Sequence, residues 1–494
     1  MKLAVLAPSI DYMSNAGARI RYERMRPALA GLGIDLFLYD IDSFDAGRES
    51  VDAALISKCY DARAKLAAAV LSSRGKLVGI DLFDDYFSQF ADSRLSRFRD
   101  WLRDMAATSD FALCSTPRMA EIAHSYCGDL PIHVLNDPAP PTSTDDLGAL
   151  VRKKLETARA EGQVHVAWFG VGSNRYVPLG LNDLATCAPA LRDLAANGLR
   201  VALTILTDKR SLDGHGLSLI SQLPVEPRIE QWSEAGERSL LRNALLCLLP
   251  VSAQPFSIAK SLNRAMTALS SGCQVLSTGY PLYAVLDPFI YRDVTSLVSD
   301  LKASTLRLSE RTADAYGRCV QAIGDPKVEA EELSRFVRSV PASEPEDEVT
   351  IAVVHGLGTR AEPHRLVQSL GGLSVASPFC TAPLNFDVIF RSGPTGLIML
   401  VSKRAARRLS DGIRSCLGRR ERIRGDSYAS LPSLSQDAGA LVNAAWQEFP
   451  LSFQLAIYER AMRELEVRLV EAFGPTKIIR SETSDLPAEP AVAV

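Results

Sequence analysis

The sequence predicts an α/β protein built on parallel sheets, and three observations carry that expectation. Short apolar runs alternate with helical patterns from the first residue to about residue 340. Several of those runs, such as residues 164–169 (VHVAWF), are apolar throughout rather than alternating, as strands covered on both faces are. Two proline-bearing polar breaks, at 138–146 and 339–348, divide the 494 residues into three parts.

The first part, residues 1–140, opens with a strand at Lys2–Ala7. A helix at Ala18–Gly31 follows, with Ile20, Met25, Ala28 and Leu29 near helical spacing and glycines at its end. Strands are expected at Ile34–Tyr39, Lys76–Asp81, Phe111–Cys114 and Ile132–Leu135. The break Pro138–Asp146 is read as a linker, and a charged helix, Leu147–Ala160, leads into the second part, residues 147–338. Its strands are Val164–Phe169, Val201–Thr207, Ile229–Gln231, Ala244–Pro250 and Cys273–Ser277, with helices such as Pro189–Asn197 and Glu237–Arg242 between them. The third part, residues 349–485, is an additional α/β module with strands at Val349–His355, Phe386–Phe390 and Leu397–Val401. Helices are expected at Ser435–Glu448 and Ser452–Phe473, and the small, acidic, proline-bearing end Thr483–Val494 is expected to be disordered.

A hydrophobic content of 47% with 23% charged residues is that of a globular protein too long for one core. The formal net charge of −3 gives no nucleic-acid signature. The nine cysteines stand singly, with no C-x-x-C pair, which points to reduced core residues and a cytoplasmic setting. The N-terminal apolar run stops at Pro8, and no stretch reaches eighteen apolar residues, so neither a signal peptide nor a span is expected. The six histidines show no ligand spacing, and no metal is expected.

Residues 256–278 hold the densest chemistry. Ser257, Lys260, Ser261, Asn263 and Arg264 crowd the start of a helix that ends at Gly272 and precedes a strand. A helix N-terminus offers unpaired N–H groups and partial positive charge, so with two cations and a hydroxyl it suits a phosphate. The same residues also fit an ordinary capped helix. Lys209 and Arg210 follow the strand Val201–Thr207, where α/β sheets bind ligands, and are a second pair for a diphosphate or a solvated turn. Gly170, Gly172 and Ser173 follow Val164–Phe169 as a loop that either approaches a phosphate closely or makes a tight turn. Arg175 replaces the last glycine of a dinucleotide fingerprint, which argues against NAD.

For a general base the candidates are Asp81, Asp84 and Asp85, with Asp81 ending an apolar strand; three such carboxylates also suit capping. Asp11 and Arg19 are further acceptor-side candidates. Trp232 is placed either by a nucleobase or in the core. In the third part, Lys403–Arg424 carries nine Lys or Arg against Asp411 and Glu421, a net of +7. Such a block suits an anionic membrane surface, a solvated helix, or a contact with the acidic stretch Glu344–Glu348.

Motifs in order along residues 1–340 resemble the GT-B glycosyltransferases, in particular group 1 (family 4-like). They are SNAGAR at 14–19 with a helix and LGI at 32–34, GIDLFDD at 79–85, SDFALCS at 109–115, IHVLND at 132–137, WFG at 168–170 and NALLCLLP at 243–250. The resemblance implies two Rossmann-like domains facing across a cleft, an acceptor domain at 1–140 and a nucleotide-sugar donor domain at 147–338. It implies a metal-independent transfer from a donor such as a UDP- or GDP-sugar to a hydroxyl, suited to a glycan or lipid-linked glycan acceptor. Retaining members of that group carry two glutamates across the donor loop, where this chain has Ala259 and Thr267. That departure favours inversion, with Lys260, Ser261, Asn263 and Arg264 as the diphosphate clamp. A nucleotide-sugar epimerase of the same fold, and a non-catalytic binding or assembly protein, are the other readings.

Overall fold

The computed structural model describes residues 1–344, apart from residues 14, 42–43, 45–48, 61–63, 65–66, 69–70, 73 and 142. Beyond them it describes the backbone of four strands between residues 349 and 481.

Two six-stranded, wholly parallel sheets form the body of the protein. The first consists of β1 (Lys2–Ala7), β2 (Asp35–Asp40), β3 (Ala53–Ser57), β4 (Leu77–Leu82), β5 (Phe111–Cys114) and β6 (Ile132–Val134), in the order β2-β1-β3-β4-β5-β6. The second consists of β7 (Gln163–Phe169), β8 (Arg200–Thr207), β9 (Arg228–Gln231), β10 (Leu246–Leu248), β11 (Gln274–Leu276) and β12 (Ile290–Tyr291), in the order β12-β11-β10-β7-β8-β9. Each sheet therefore reverses its winding once, between β1 and β3 in the first and between β7 and β10 in the second. In doubly wound sheets the crevice for a ligand lies at the strands' carboxyl ends at such a reversal.

The apolar runs explain the covering on both faces. Along β1, Leu3, Val5 and Ala7 enter one cluster while Ala4 and Leu6 enter another, so successive side chains bury on opposite sides. Strand β4 is buried at all six positions. Gly79 in β4 lies under the Phe111 ring, and a Cβ there would come within 2.7 Å of three ring carbons.

Among the described residues of the first two parts the expected strands are present, and β12, like β3, was not expected; three differences bear on the site. The single helix expected at Ala18–Gly31 is instead a π-helical stretch, Arg19–Glu23, followed by an α-helix, Arg26–Gly31, with Pro27 in its first turn. Strand β3 was not expected, because its run AALIS is alanine-rich and holds one β-branched residue. The helix after the linker begins earlier than expected, at Thr144, capped by Ser143, and runs to Glu161.

The last helix of the second part, Pro326–Ser339, crosses back to the first sheet, so the division at 338 does not follow the packing. Its Ala330, Leu333 and Val337 are buried with Leu3, Val5 and Phe111. Glu329 accepts from the Asn136 backbone N–H and side-chain amide, both at 2.9 Å. Two chain crossings thus tie the lobes together, at residues 137–144 and 324–326.

A third sheet has the order β14-β15-β13-β16, from β13 (Val349–His355), β14 (Phe390–Ser392), β15 (Gly396–Val401) and β16 (Thr476–Ser481). The segments 403–424, 435–448, 452–473 and 483–494 lie outside the described residues, as do 386–389 of the expected strand and 345–348 of the acidic stretch. Among the described residues no helix is long and apolar enough to cross a membrane.

Gly79→Ala drives a methyl into the Phe111 ring and is expected to cost about 1–3 kcal/mol, read as a lower urea midpoint. An unchanged midpoint would contradict this packing.

Candidate functional site

The carboxyl ends of the two sheets face each other, and polar contacts join them. Lys260 lies between the short helix Pro255–Ile258 and the helix Asn263–Ser270, and reaches Asp84 of the first lobe. Ser261 donates to Asp137 Oδ2 at 2.5 Å. On the second lobe's β9 side, Arg19 bridges to Glu234 at 3.4 Å and to the buried Glu237 at 3.3 Å. An aromatic seam closes another part, with Tyr86 against Phe256 (5.1 Å) and Tyr176 (5.8 Å).

Asp84 sits just beyond β4 and is buried. Its Oδ2 is 2.7 Å from Lys58 Nζ, while its Oδ1 faces Lys260 Nζ. Burial pushes this carboxyl up, but Lys260 and Lys58 pull it down further, leaving it at about 2. Because the folded value lies below the unfolded one, the pairing stabilises fully above about pH 4 and is lost as pH falls toward 2. Burial pulls the Lys260 ammonium below its ordinary value in spite of Asp84.

The other two carboxylate candidates are differently employed. Asp81 is buried and takes a forked pair from Arg21, with Nη2 to Oδ1 at 2.6 Å and Nε to Oδ2 at 2.8 Å. The Tyr22 hydroxyl adds a third donor at 2.6 Å. Arg21 also donates to Leu135 O at 2.6 Å and meets Asp137 at 3.2 Å. With its lone pairs occupied inside the first lobe, Asp81 is not placed to take a proton from an acceptor. Asp85 accepts from the backbone N–H groups of Phe87 (3.0 Å) and Ser88 (2.9 Å) and from the Ser88 hydroxyl, which makes it a loop cap. Only Asp84 of the three faces the second lobe.

The second lobe's reversal, between β7 and β10, brings together the glycine loop and Arg264. Gly170 has φ 149°, open to glycine, and the space where a Cβ would stand is filled by the Arg264 guanidinium, 3.1 Å away. Arg264 donates to Phe169 O, and its guanidinium carbon lies 5.6 Å from the Trp168 ring. Its Nε is buried without a partner. Gly172 is a packing glycine instead, because a Cβ there would come within 2.6 Å of Ser211 Cβ and 2.7 Å of Thr207 Oγ1. Ser173 donates to Ser211 Oγ at 3.3 Å.

Asn263 is half-buried at the first position of its helix, which has no side-chain cap. Ser257 is buried against Ser252 and Gln254, away from this group. Lys209 and Arg210 lie at the end of β8 as expected, both exposed; Arg210 pairs with Asp208 at 2.7 Å. Trp232 is half-buried and donates to Glu237 at 2.8 Å.

The structure explains the missing glutamates. Ala259 packs into the first lobe's apolar cluster, and its carbonyl accepts from Thr116 Oγ1 at 3.1 Å. A glutamate there would bury its charge in the lobe contact. Thr267 is buried, with its hydroxyl unpartnered.

Sequence reasoning did not single out Lys58, Arg21 or Glu237. Lys58 directly follows β3 at φ 53°, a left-handed conformation costing a non-glycine residue on the order of 1–3 kcal/mol. Arg21 is hidden in a run, RIRYER, that reads as an exposed helix face. A cavity of about 820 Å3 lies elsewhere, lined by Arg103, Asp110, Tyr126 and Ser343 at the amino ends of β5 and β6. It is at the opposite end of the first sheet from the crevice.

No family model and no curated protein matches the chain. Among solved structures it is similar to the sucrose-phosphate synthase from Thermosynechococcus elongatus, at 12% identity and a TM-score of 0.47, over 68% of this chain and 98% of that one. It is also similar to trehalose-6-phosphate synthase OtsA, at 10% and 0.47, over 69% and 99%. A third is Anabaena HepE in complex with UDP and glucose, at 12% and 0.44, over 69% and 100%. The fold itself is a pair of six-stranded, Rossmann-like parallel sheets whose carboxyl ends face across a crevice.

Asp81→Asn weakens the hold on a buried guanidinium and is expected to lower stability by up to about 3–5 kcal/mol, read as a lower urea midpoint. A variant with wild-type stability and lost turnover would show instead that Asp81 acts as the base.

Proposed function

We propose that this chain is a glycosyltransferase that moves a sugar from a nucleotide-sugar donor to a hydroxyl acceptor with inversion. The observation that carries the reading is the crevice between the two sheet reversals, with cations on one wall and a buried carboxylate on the other.

The donor's diphosphate would lie between the Gly170 loop and the start of the helix Asn263–Ser270. Lys260, Ser261 and Arg264 stand there, along with that helix's uncapped N–H groups. Charge on the leaving diphosphate is then met by side chains and backbone, which is why the reading is metal-independent. Lys209 and Arg210, exposed at the end of β8, are the outer cations of the same wall. The reaction forms a bond from the acceptor oxygen to the anomeric carbon as the carbon–oxygen bond to the diphosphate breaks. The acceptor proton passes to the Asp84 carboxylate, and the nucleoside diphosphate leaves. A glycan or lipid-linked glycan acceptor is proposed from the basic run 403–424 and the resemblance in sequence, with peripheral contact to an anionic cytoplasmic membrane face.

One observation favours a second reading. Ala259 and Thr267 stand where the retaining enzymes of the group carry glutamates, so a non-catalytic binding protein is the alternative. A panel of nucleotide sugars with glycan acceptors separates the two. The transferase reading expects nucleoside diphosphate to accumulate, also in the presence of EDTA. Binding without release from any donor favours the alternative, and conversion of the donor sugar without release would identify an epimerase.

Lys260→Ala is expected to weaken nucleoside-diphosphate binding by about 1.5–3 kcal/mol in titration calorimetry. Asp84→Asn is expected to abolish most turnover without weakening that binding. Full turnover in Asp84→Asn would remove Asp84 from the role of base.

A further inference from the structure

We propose that Lys58 is the positioning residue for Asp84, holding the carboxylate in the crevice once the donor's diphosphate has drawn Lys260 away. The inference rests on the transfer reading of this crevice and adds a residue to it.

Three observations carry it. First, the two ammonium groups take different oxygens of one carboxylate, Lys58 at Oδ2 and Lys260 at Oδ1. One cation belongs to the same lobe as Asp84 and the other reaches in from the facing lobe. A diphosphate seated by Lys260 competes with Asp84 for it, and leaves Asp84 with Lys58 alone.

Second, Lys58 is built to stay. Its Nζ lies 4.3 Å from the centre of the Phe83 ring and 5.7 Å from that of Tyr12, so its own lobe supports the ammonium. Lys260 has one such support, Phe256 at 4.2 Å, on the lobe it comes from.

Third, Lys58 follows β3 directly, at the first sheet's reversal between β1 and β3, and does so with φ 53°. A lysine in backbone that glycine favours carries a conformational cost that its side-chain contacts must offset.

Among the described residues, the titratable groups around Asp84 are Lys58, Lys260, Tyr12, Tyr60, Tyr86 and Asp81. Burial pushes the Tyr12 phenol up to about 12 and raises Tyr60 and Tyr86, so all three remain neutral where a carboxylate titrates. Asp81 is tied to Arg21. An acidic limb in the rate of the donor-bound enzyme that moves with the charge at position 58 is then the mark of Asp84.

The test is Lys58→Gly, which relaxes the backbone while removing the ammonium, with Lys58→Arg as the conservative variant. The acid limb of kcat reports the substrate-bound enzyme. In Lys58→Gly it is expected to move about 1–2 pH units higher, since an opposite charge beside the carboxylate is lost. Lys58→Arg is expected to bring it back toward the wild-type position. A uniform loss of rate with an unmoved limb would overturn the proposal.

A second readout does not need turnover. Carbon-13 NMR of the aspartate carboxyls, assigned with Asp84→Asn and recorded with saturating UDP or GDP, is expected to show a higher Asp84 midpoint in Lys58→Gly than in wild type. Equal midpoints would overturn the positioning role. Failure of the transfer reading looks different: wild type then releases no nucleoside diphosphate, whatever the carboxyl titration shows.

Discussion

Asp84 is shared by two ammonium groups from opposite lobes, and that sharing governs how the two sheets meet. A buried carboxylate with one partner removed is costly, so the arrangement favours keeping Lys260 across the crevice until another anion takes its place. On the proposed reading, Asp84 occupies, from the facing lobe, the neighbourhood of the donor's diphosphate. Two further polar contacts, the hydrogen bond from Ser261 to Asp137 and the ion pairs of Arg19 with Glu234 and Glu237, also span the crevice.

Behind this front row the first lobe is rigid. Arg21 binds Asp81, Leu135 O and Asp137 at once, which joins β4 to the chain leaving β6. Asp137 therefore has one oxygen on Arg21 and the other on Ser261 of the second lobe. The helix Pro326–Ser339 then brings the chain back across the first sheet, with Glu329 holding Asn136. The residues that span the crevice are thus mounted on a tied network rather than on free loops, which suits a site that must present a carboxylate at a fixed distance from a donor.

Much of the fold was legible because parallel strands buried on both faces leave continuous apolar runs. VHVAWF and FALC read as strands for that reason, and the reversals follow once the runs are ordered into sheets. AALIS did not, since alanine carries little strand signal and burial alone decides its conformation. The π-helical stretch at Arg19–Glu23 was hidden for a related reason: its periodicity is close enough to that of an α-helix to pass for one. At the site, the composition of residues 260–264 singled out side chains that the fold sets on one wall of the crevice. The opposite wall was harder. Asp81, Asp84 and Asp85 are adjacent in sequence and chemically alike, and only their partners separate an internal ion pair, a crevice-facing carboxylate and a loop cap. Lys58 gave no sign at all, because its importance lies in a backbone angle and in a partner twenty-six positions away.

A crystal structure of the protein with a bound nucleoside diphosphate tests the central claim most directly. The account expects the phosphates between the Gly170 loop and the start of the helix Asn263–Ser270, with Lys260 on the phosphate and Asp84 left on Lys58 alone. Phosphates bound elsewhere, with the Lys260–Asp84 pair intact, would contradict it.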